Sequence, residues 1–118
     1  IQNVHEAEEA WYRRTRIYPI VHIVVVRDDL LAEHPWLAAE LFRMFDAAKD
    51  TYLEELRTTG GATEYDRLIQ WQGTVVGGDP LPYGVEPNRV SIDALVQTCQ
   101  EQSIIPNRPS ADELFAQV

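Results

Sequence analysis

The sequence has little cysteine, a shortage of positive charge and no long apolar run. Cys99 is the one cysteine among 118 residues, so no disulfide can form within the chain. Ten basic residues stand against 19 acidic ones, and the formal net charge is -9. Such a surface repels phosphate backbones, so nucleic acid is not an expected partner. No apolar run approaches the ~20 residues that span a bilayer, and we expect no membrane insertion.

The sequence also lacks the short motifs that identify common kinds of active site. His5, His22 and His34 do not show the close pairing of metal motifs, and no cysteine pair exists. Gly77 and Gly78 do not form a phosphate-binding loop, because the required spacing and the following Lys-Ser/Thr are absent. We find neither a nucleophile elbow nor a dinucleotide fingerprint. The sequence therefore predicts no metal site, and any cofactor is unknown.

What the sequence does contain is a series of amphipathic helices. Hydrophobic residues make up 45% and charged residues 25%, which is ordinary for one small globular domain. Apolar residues at three- and four-residue spacing predict helices, and turn residues separate them. The predicted helices cover residues 5–14, 35–57, 63–76 and 88–102, and a capping box at 110–113 opens a last helical turn.

The helix predicted over residues 35–57 is the longest. Pro35 suits its first position, where the missing N–H costs nothing, and Gly60 follows its end. Its apolar stripe includes Leu41, Phe45 and Ala48, which we expect to be buried against a sheet or another helix.

Residues 18–26 are predicted to form a buried strand, because most of them are β-branched. The apolar run is nearly continuous rather than alternating, which is typical of a strand that is covered on both faces. No other segment is a strong strand candidate, so its partners are expected outside this chain. The chain also begins at Ile1 rather than at a methionine, as a piece of a longer protein would.

His22 is the most unusual polar residue, because it stands in the middle of this apolar run. One interpretation is a core histidine that hydrogen-bonds to a backbone carbonyl. The other is a cleft residue, since an imidazole donates or accepts a proton near neutral pH. Four arginines surround the run: Arg13, Arg14, Arg16 and Arg27. Scattered arginines are usually solvated, whereas several that converge on one pocket would bind a carboxylate bidentately.

Several segments resemble the 4,5-dihydroxyphthalate decarboxylase family, and they occur in the same order over nearly the whole chain. The first two are Ala7-Glu8-Glu9-Ala10-Trp11-Tyr12-Arg13-Arg14-Thr15 and Tyr18-Pro19-Ile20-Val21-His22. The others are His34-Pro35-Trp36-Leu37, Phe45-Asp46-Ala47-Ala48-Lys49, Pro82-Tyr83-Gly84-Val85-Glu86-Pro87-Asn88-Arg89, Glu101-Gln102 and Glu113-Leu114-Phe115. One departure concerns the turn before the strand, where the family tends to have glycine and this chain has Arg16.

The resemblance implies an α/β fold like that of type II periplasmic binding proteins, with two lobes around a cleft. Residues 1–118 would be a single C-terminal fragment of that larger protein, mostly helical with one main buried strand. Residues 1–27 would supply a helix and the crossover strand, and residues 28–118 the helical part of one lobe. The missing N-terminal part of the same protein would then be a structural partner.

The resemblance also implies an activity, the loss of one carboxylate from an aromatic ortho-dicarboxylate such as 4,5-dihydroxyphthalate. His22 would be the proton donor, and Arg13 or Arg14 would bind the small aromatic carboxylate ligand. Two alternatives stay open: a solute-binding protein of an ABC transporter for a small anionic ligand, and a structural lobe whose active residues lie elsewhere. A decarboxylase would be cytoplasmic, whereas a transporter binding protein would be periplasmic or extracellular. The sequence also leaves open whether the protein forms a homo-oligomer.

Overall fold

The computed structural model describes residues 2–118, and within them it contains α-helices and no β-strand. The helices are α1 (Val4–Thr15), α2 (Asp28–Glu33), α3 (Leu37–Thr59), α4 (Glu64–Val76), α5 (Val85–Glu101) and α6 (Ala111–Leu114). They belong to two compact units. Val26–Pro82 form one unit, and the other combines the chain up to Val25 with Tyr83–Val118.

The unit that contains α1, α5 and α6 has its core where α5 meets α6. Ile92 and Val96 of α5 and Ala111 of α6 are buried together. Partly buried apolar residues pack against these three: Val85 at the start of α5, and Ile105 and Phe115 outside the helices. A capping box at Ser110 and Glu113 begins α6, as predicted. The Glu113 carboxylate accepts hydrogen bonds from both the Ser110 backbone N–H and the Ser110 hydroxyl.

The unit that contains α2, α3 and α4 buries Leu56 of α3 and Ile69 of α4. Gly60 ends α3 in the left-handed conformation at φ 77°, which confirms the predicted stop. Thr63 then caps α4, because its hydroxyl accepts a hydrogen bond from the Asp66 backbone N–H. The predicted helices at 5–14, 63–76 and 88–102 are also confirmed, with ends that differ by a few residues.

Three details of the helix predictions are wrong. Pro35 precedes α3 instead of opening it, since the helix begins at Leu37 after Trp36. Phe45 is 46% exposed and Ala48 is also exposed, although Leu41 is half-buried. The cause is the face that α3 turns inward. Its less exposed row has three- and four-residue spacing and leaves Phe45 and Ala48 to one side: Phe42, Asp46, Lys49, Leu53 and Leu56.

The predicted buried strand at residues 18–26 does not form in the described part of the chain, so the secondary structure is helical rather than α/β. Val21 is 79% exposed, Ile23 63% and Val25 81%. A strand needs partners for its backbone N–H and C=O groups, and no other described segment is extended beside it. That the chain is a fragment of a two-lobed protein, divided at residue 27, stays a prediction. No helix in the described residues is long and apolar enough to cross a membrane.

Candidate functional site

His22 lies in the segment between α1 and α2, and it is exposed to solvent. The expectation that it is buried, or lies on the floor of a cleft, does not hold for the described chain. Its neighbours Val21 and Ile23 are exposed as well, so no apolar wall surrounds the imidazole. No hydrogen bond or ion pair among the described residues joins His22 to Arg13 or Arg14. The role of His22 as a proton donor stays a prediction.

Arg13 and Arg14 lie side by side in the last turn of α1 but make different contacts. The Arg13 guanidinium forms an ion pair with the Glu9 carboxylate one turn earlier, at 2.5 Å. The Arg14 guanidinium instead lies over the Trp11 ring, 5.2 Å from the ring centroid. A guanidinium that stacks on an aromatic face keeps its N–H donors directed outward at the edge of the group. The two arginines are therefore not equivalent candidates for binding an anion.

Arg16 follows α1 in the left-handed conformation, with φ 60° and ψ 12°. Its backbone N–H donates to the Tyr12 carbonyl oxygen at 2.8 Å, which closes the helix. Its guanidinium lies over the Tyr12 ring at 5.4 Å from the centroid. This is the conformation that favours glycine, so the turn has the geometry that the glycine of the resembled family would adopt, although the residue is arginine. In the sequence Arg16 is one of four arginines around the apolar run, but only Arg13 and Arg14 are predicted to bind substrate.

A network of aromatic and polar contacts holds the end of α1 against α5. The Tyr12 and Tyr18 rings meet edge to face, with centroids 6.2 Å apart and planes at 89°. The Tyr18 backbone N–H donates to the Ser91 hydroxyl at 2.9 Å, and Ser91 is buried in α5. The ring beneath the Arg16 guanidinium therefore belongs to an anchored part of the fold.

A second polar centre lies in the other unit, around Lys49 of α3. Only 8% of the Lys49 side chain is exposed, and its ammonium lies 2.8 Å from the Asp79 carboxylate and 3.0 Å from that of Asp46. Burial lowers the pKa of Lys49, but the hydrogen bonds with Asp79 and Asp46 outweigh it and leave the pKa above its usual value. This cation ties the loop after α4 to α3, which is a structural role.

A third polar centre joins α3 to α4. The Tyr52 hydroxyl donates to the Asp66 carboxylate at 2.8 Å, and the backbone N–H groups of Ala62 and Thr63 donate to the same carboxylate at 2.9 Å. Burial and then the hydrogen bond with Asp66 raise the pKa of Tyr52 to about 12. The backbone N–H of Thr63 and then the Tyr52 hydroxyl hold the pKa of Asp66 well below its usual range.

The described residues offer no group of three or more His, Cys, Asp or Glu side chains that could hold a metal ion. Groups capable of ligand chemistry include the guanidiniums of Arg14 and Arg16 and the exposed imidazole of His22. All three belong to the unit that contains α1, α5 and α6. Guanidiniums bind carboxylates and phosphates, and an imidazole can transfer a proton.

Comparison with known proteins gives one source of functional information. No protein-family model matches the chain. The chain is similar to a protein of Comamonas testosteroni named 4,5-dihydroxyphthalate decarboxylase, with 27% identity over 118 positions. The match covers 97% of this chain but 36% of that protein, so the chain spans about a third of the length of this relative. The similarity thus extends along nearly the whole chain, while the periplasmic-binding-protein fold stays a prediction.

Proposed function

We propose that this chain is part of a decarboxylase that removes one carboxylate from an aromatic ortho-dicarboxylate such as 4,5-dihydroxyphthalate. The observation that carries the proposal is the similarity of 97% of the chain to a protein of that name. Because the chain matches 36% of that protein, the activity is proposed for the full-length protein and not for these residues alone. A cytoplasmic location follows from the same proposal. Nothing observed favours the solute-binding alternative.

The proposed reaction requires a proton donor and an anion-binding group. A hydroxyl para to the departing carboxylate donates electron density into the ring, and an acid protonates the ring carbon that bears the carboxylate. The bond from that carbon to the carboxylate then breaks, its electron pair restores aromaticity, and carbon dioxide leaves. The reaction consumes one proton and needs no change of oxidation state at the protein.

In this proposal His22 is the proton donor, and Arg13 or Arg14 binds the carboxylate that is retained. Electrostatic stabilisation is stronger where water is excluded, and the chain as described leaves His22 exposed. We therefore propose that other parts of the full-length protein supply the apolar walls of the site. The exposed apolar residues on both sides of His22, such as Val21 and Ile23, suit contact with such walls.

The test is carbon dioxide release from 4,5-dihydroxyphthalate by the full-length protein and its variants. His22→Gln should lower kcat by about 100-fold or more, the usual scale for loss of a general acid, without unfolding the protein. His5→Gln is the matched control, because His5 is also an exposed imidazole in the same unit. If the protein releases carbon dioxide and His22→Gln is fully active, His22 is not the acid.

Replacing the arginine that binds the retained carboxylate, Arg13 or Arg14, should mainly raise KM. An anion-binding group acts in the ground state and the transition state alike, so kcat should change less. Arg57→Ala is a matched control, since Arg57 is exposed and ion-paired to Glu54 as Arg13 is to Glu9. A protein that binds the compound but never releases carbon dioxide would instead favour the solute-binding alternative.

A further inference from the structure

Ion pairs engage most, but not all, of the cationic side chains in this acidic chain. With 19 acidic and ten basic residues, most cations should find a carboxylate, and most do. The arginines that pair with a carboxylate are Arg13, Arg27, Arg43, Arg57 and Arg89. Among the described residues, no carboxylate lies within ion-pair distance of Arg14, Arg16, Arg67 or Arg108, and Arg108 instead donates to the Gln97 side-chain oxygen. Two of these four lie at the end of α1, two positions apart.

Arg14 and Arg16 also share a second feature, since each guanidinium lies over an aromatic ring. The rings belong to the consecutive residues Trp11 and Tyr12, at 5.2 Å and 5.4 Å from the guanidinium carbons. Stacking orients a guanidinium without using its N–H donors. Among the described residues no hydrogen bond or ion pair uses the guanidinium donors of either arginine, so these donors are open to an anion, and Trp11 itself is 47% exposed.

The backbone of Arg16 gives an independent indication. Left-handed conformation disfavours every residue with a Cβ, and glycine would occupy this position without strain. An arginine at such a position therefore costs folding free energy, and its side chain does not recover that cost through an ion pair. Asn3 and Ser103 share this conformation, and what distinguishes Arg16 is that the strained residue also carries a guanidinium without a carboxylate partner among the described residues.

We propose that Arg14 and Arg16 together bind the two carboxylates of an aromatic ortho-dicarboxylate, and that Arg13 does not bind them. The proposal rests on the proposed function for its ligand class, and it names the residues that recognise that ligand. Each stacked guanidinium takes one carboxylate, while the Arg13 guanidinium stays paired with Glu9. Ligands with two adjacent carboxylates should then bind more tightly than those with one.

The test is calorimetric titration of the full-length protein with phthalate, which lacks the hydroxyls that drive decarboxylation. Arg16→Gly should raise the Kd for phthalate about tenfold or more, the usual scale for losing a charged hydrogen-bond pair. The same substitution should leave the melting temperature unchanged or higher, because glycine relieves the left-handed strain at φ 60°. A merely structural Arg16 would give the reverse result, a lower melting temperature with unchanged Kd.

Arg14→Ala should weaken phthalate binding by a similar factor, and Arg13→Ala should weaken it less. Arg67→Ala is the control, because Arg67 is exposed, lacks a carboxylate partner and lies in the other unit. It should bind phthalate as the wild type does. Benzoate, with one carboxylate, should bind the wild type with a higher Kd than phthalate. In the Arg16→Gly variant the Kd values for the two ligands should lie closer together.

The outcomes separate this inference from the proposed function. If the wild type binds phthalate, Arg16→Gly weakens that binding and no carbon dioxide is released from the hydroxylated substrate, the anion site stands and the decarboxylase proposal fails. If carbon dioxide is released while Arg14→Ala and Arg16→Gly bind phthalate normally, the activity stands and this inference is wrong. A wild type that does not bind phthalate also overturns the inference.

Discussion

Replacing Ile92 by alanine tests whether the contact between α5 and α6 stabilises its unit. Ile92 is 5% exposed and packs with Val96 and Ala111. Removing three buried carbon groups at ~0.8 kcal/mol each costs about 2.4 kcal/mol before any cavity term. The cavity raises the expected loss to about 2–5 kcal/mol, a large part of the 5–15 kcal/mol that is typical of a whole domain.

The measurement is urea denaturation of the 118-residue chain, followed by circular dichroism of the helices. Leu95→Ala is the matched control, because it removes the same number of carbon atoms from the same helix at a residue that is 59% exposed. We expect the control to change the free energy of unfolding by less than about 1 kcal/mol. Equal losses for Ile92→Ala and Leu95→Ala would refute the assignment of the core.

Three further predictions concern the other unit. Because the pKa of Tyr52 rises from 10.0 to about 12 on folding, its stabilising contribution is complete below pH 10 and is lost as the pH rises to 12. When the melting temperature is measured against pH, Tyr52→Phe should therefore lose less stability than the wild type between pH 10 and pH 12. Equal losses in the two proteins would contradict this. Gly61→Ala should destabilise more than Gly60→Ala in urea denaturation, because a Cβ at Gly61 would lie 2.5 Å from that of Asp66 while Gly60 faces open space. Gly60→Ala itself should cost about 1–2 kcal/mol for its left-handed backbone. Lys49→Met should lower the free energy of unfolding by about 1–2 kcal/mol, because charged hydrogen bonds are lost. A Lys49→Met protein as stable as the wild type would show that the Lys49 ammonium does not stabilise this unit.

The helices could be predicted from the sequence because their signals are local. The stop at Gly60, the capping box at Ser110 and the apolar spacing of Ile92 and Val96 all lie within a few residues of the feature they define. α5 begins at Val85, three residues before the predicted start at Asn88. Pro87 therefore lies in its first turn, where backbone N–H groups have no partner within the helix.

The strand predicted at residues 18–26 failed for a reason that is not local. β-Branched residues favour extended backbone, but a strand exists only when a second strand pairs with it. The described helices leave that apolar run exposed, with Val25 at 81%. The composition of the run therefore predicted its backbone preference but could not establish its partners. The same error carried over to His22, which was expected to be buried only because its neighbours are apolar.

The candidate site could be predicted only in part, and Arg16 illustrates the difference. Arg13 and Arg14 could be identified because they flank the apolar run and lie in a segment that resembles the family, yet the sequence does not reveal that Glu9 pairs with Arg13. The sequence does mark the position of Arg16, because it comes directly after a helix and the resembled family tends to have glycine there. A glycine at that position predicts left-handed backbone, and an arginine in its place predicts strain. That reasoning marks Arg16 as a candidate, because an unfavourable backbone coincides there with a guanidinium that has no carboxylate partner among the described residues. Asn3 and Ser103 share the left-handed backbone without such a group, so a departure from a glycine pattern points to function only where the side chain also carries ligand chemistry.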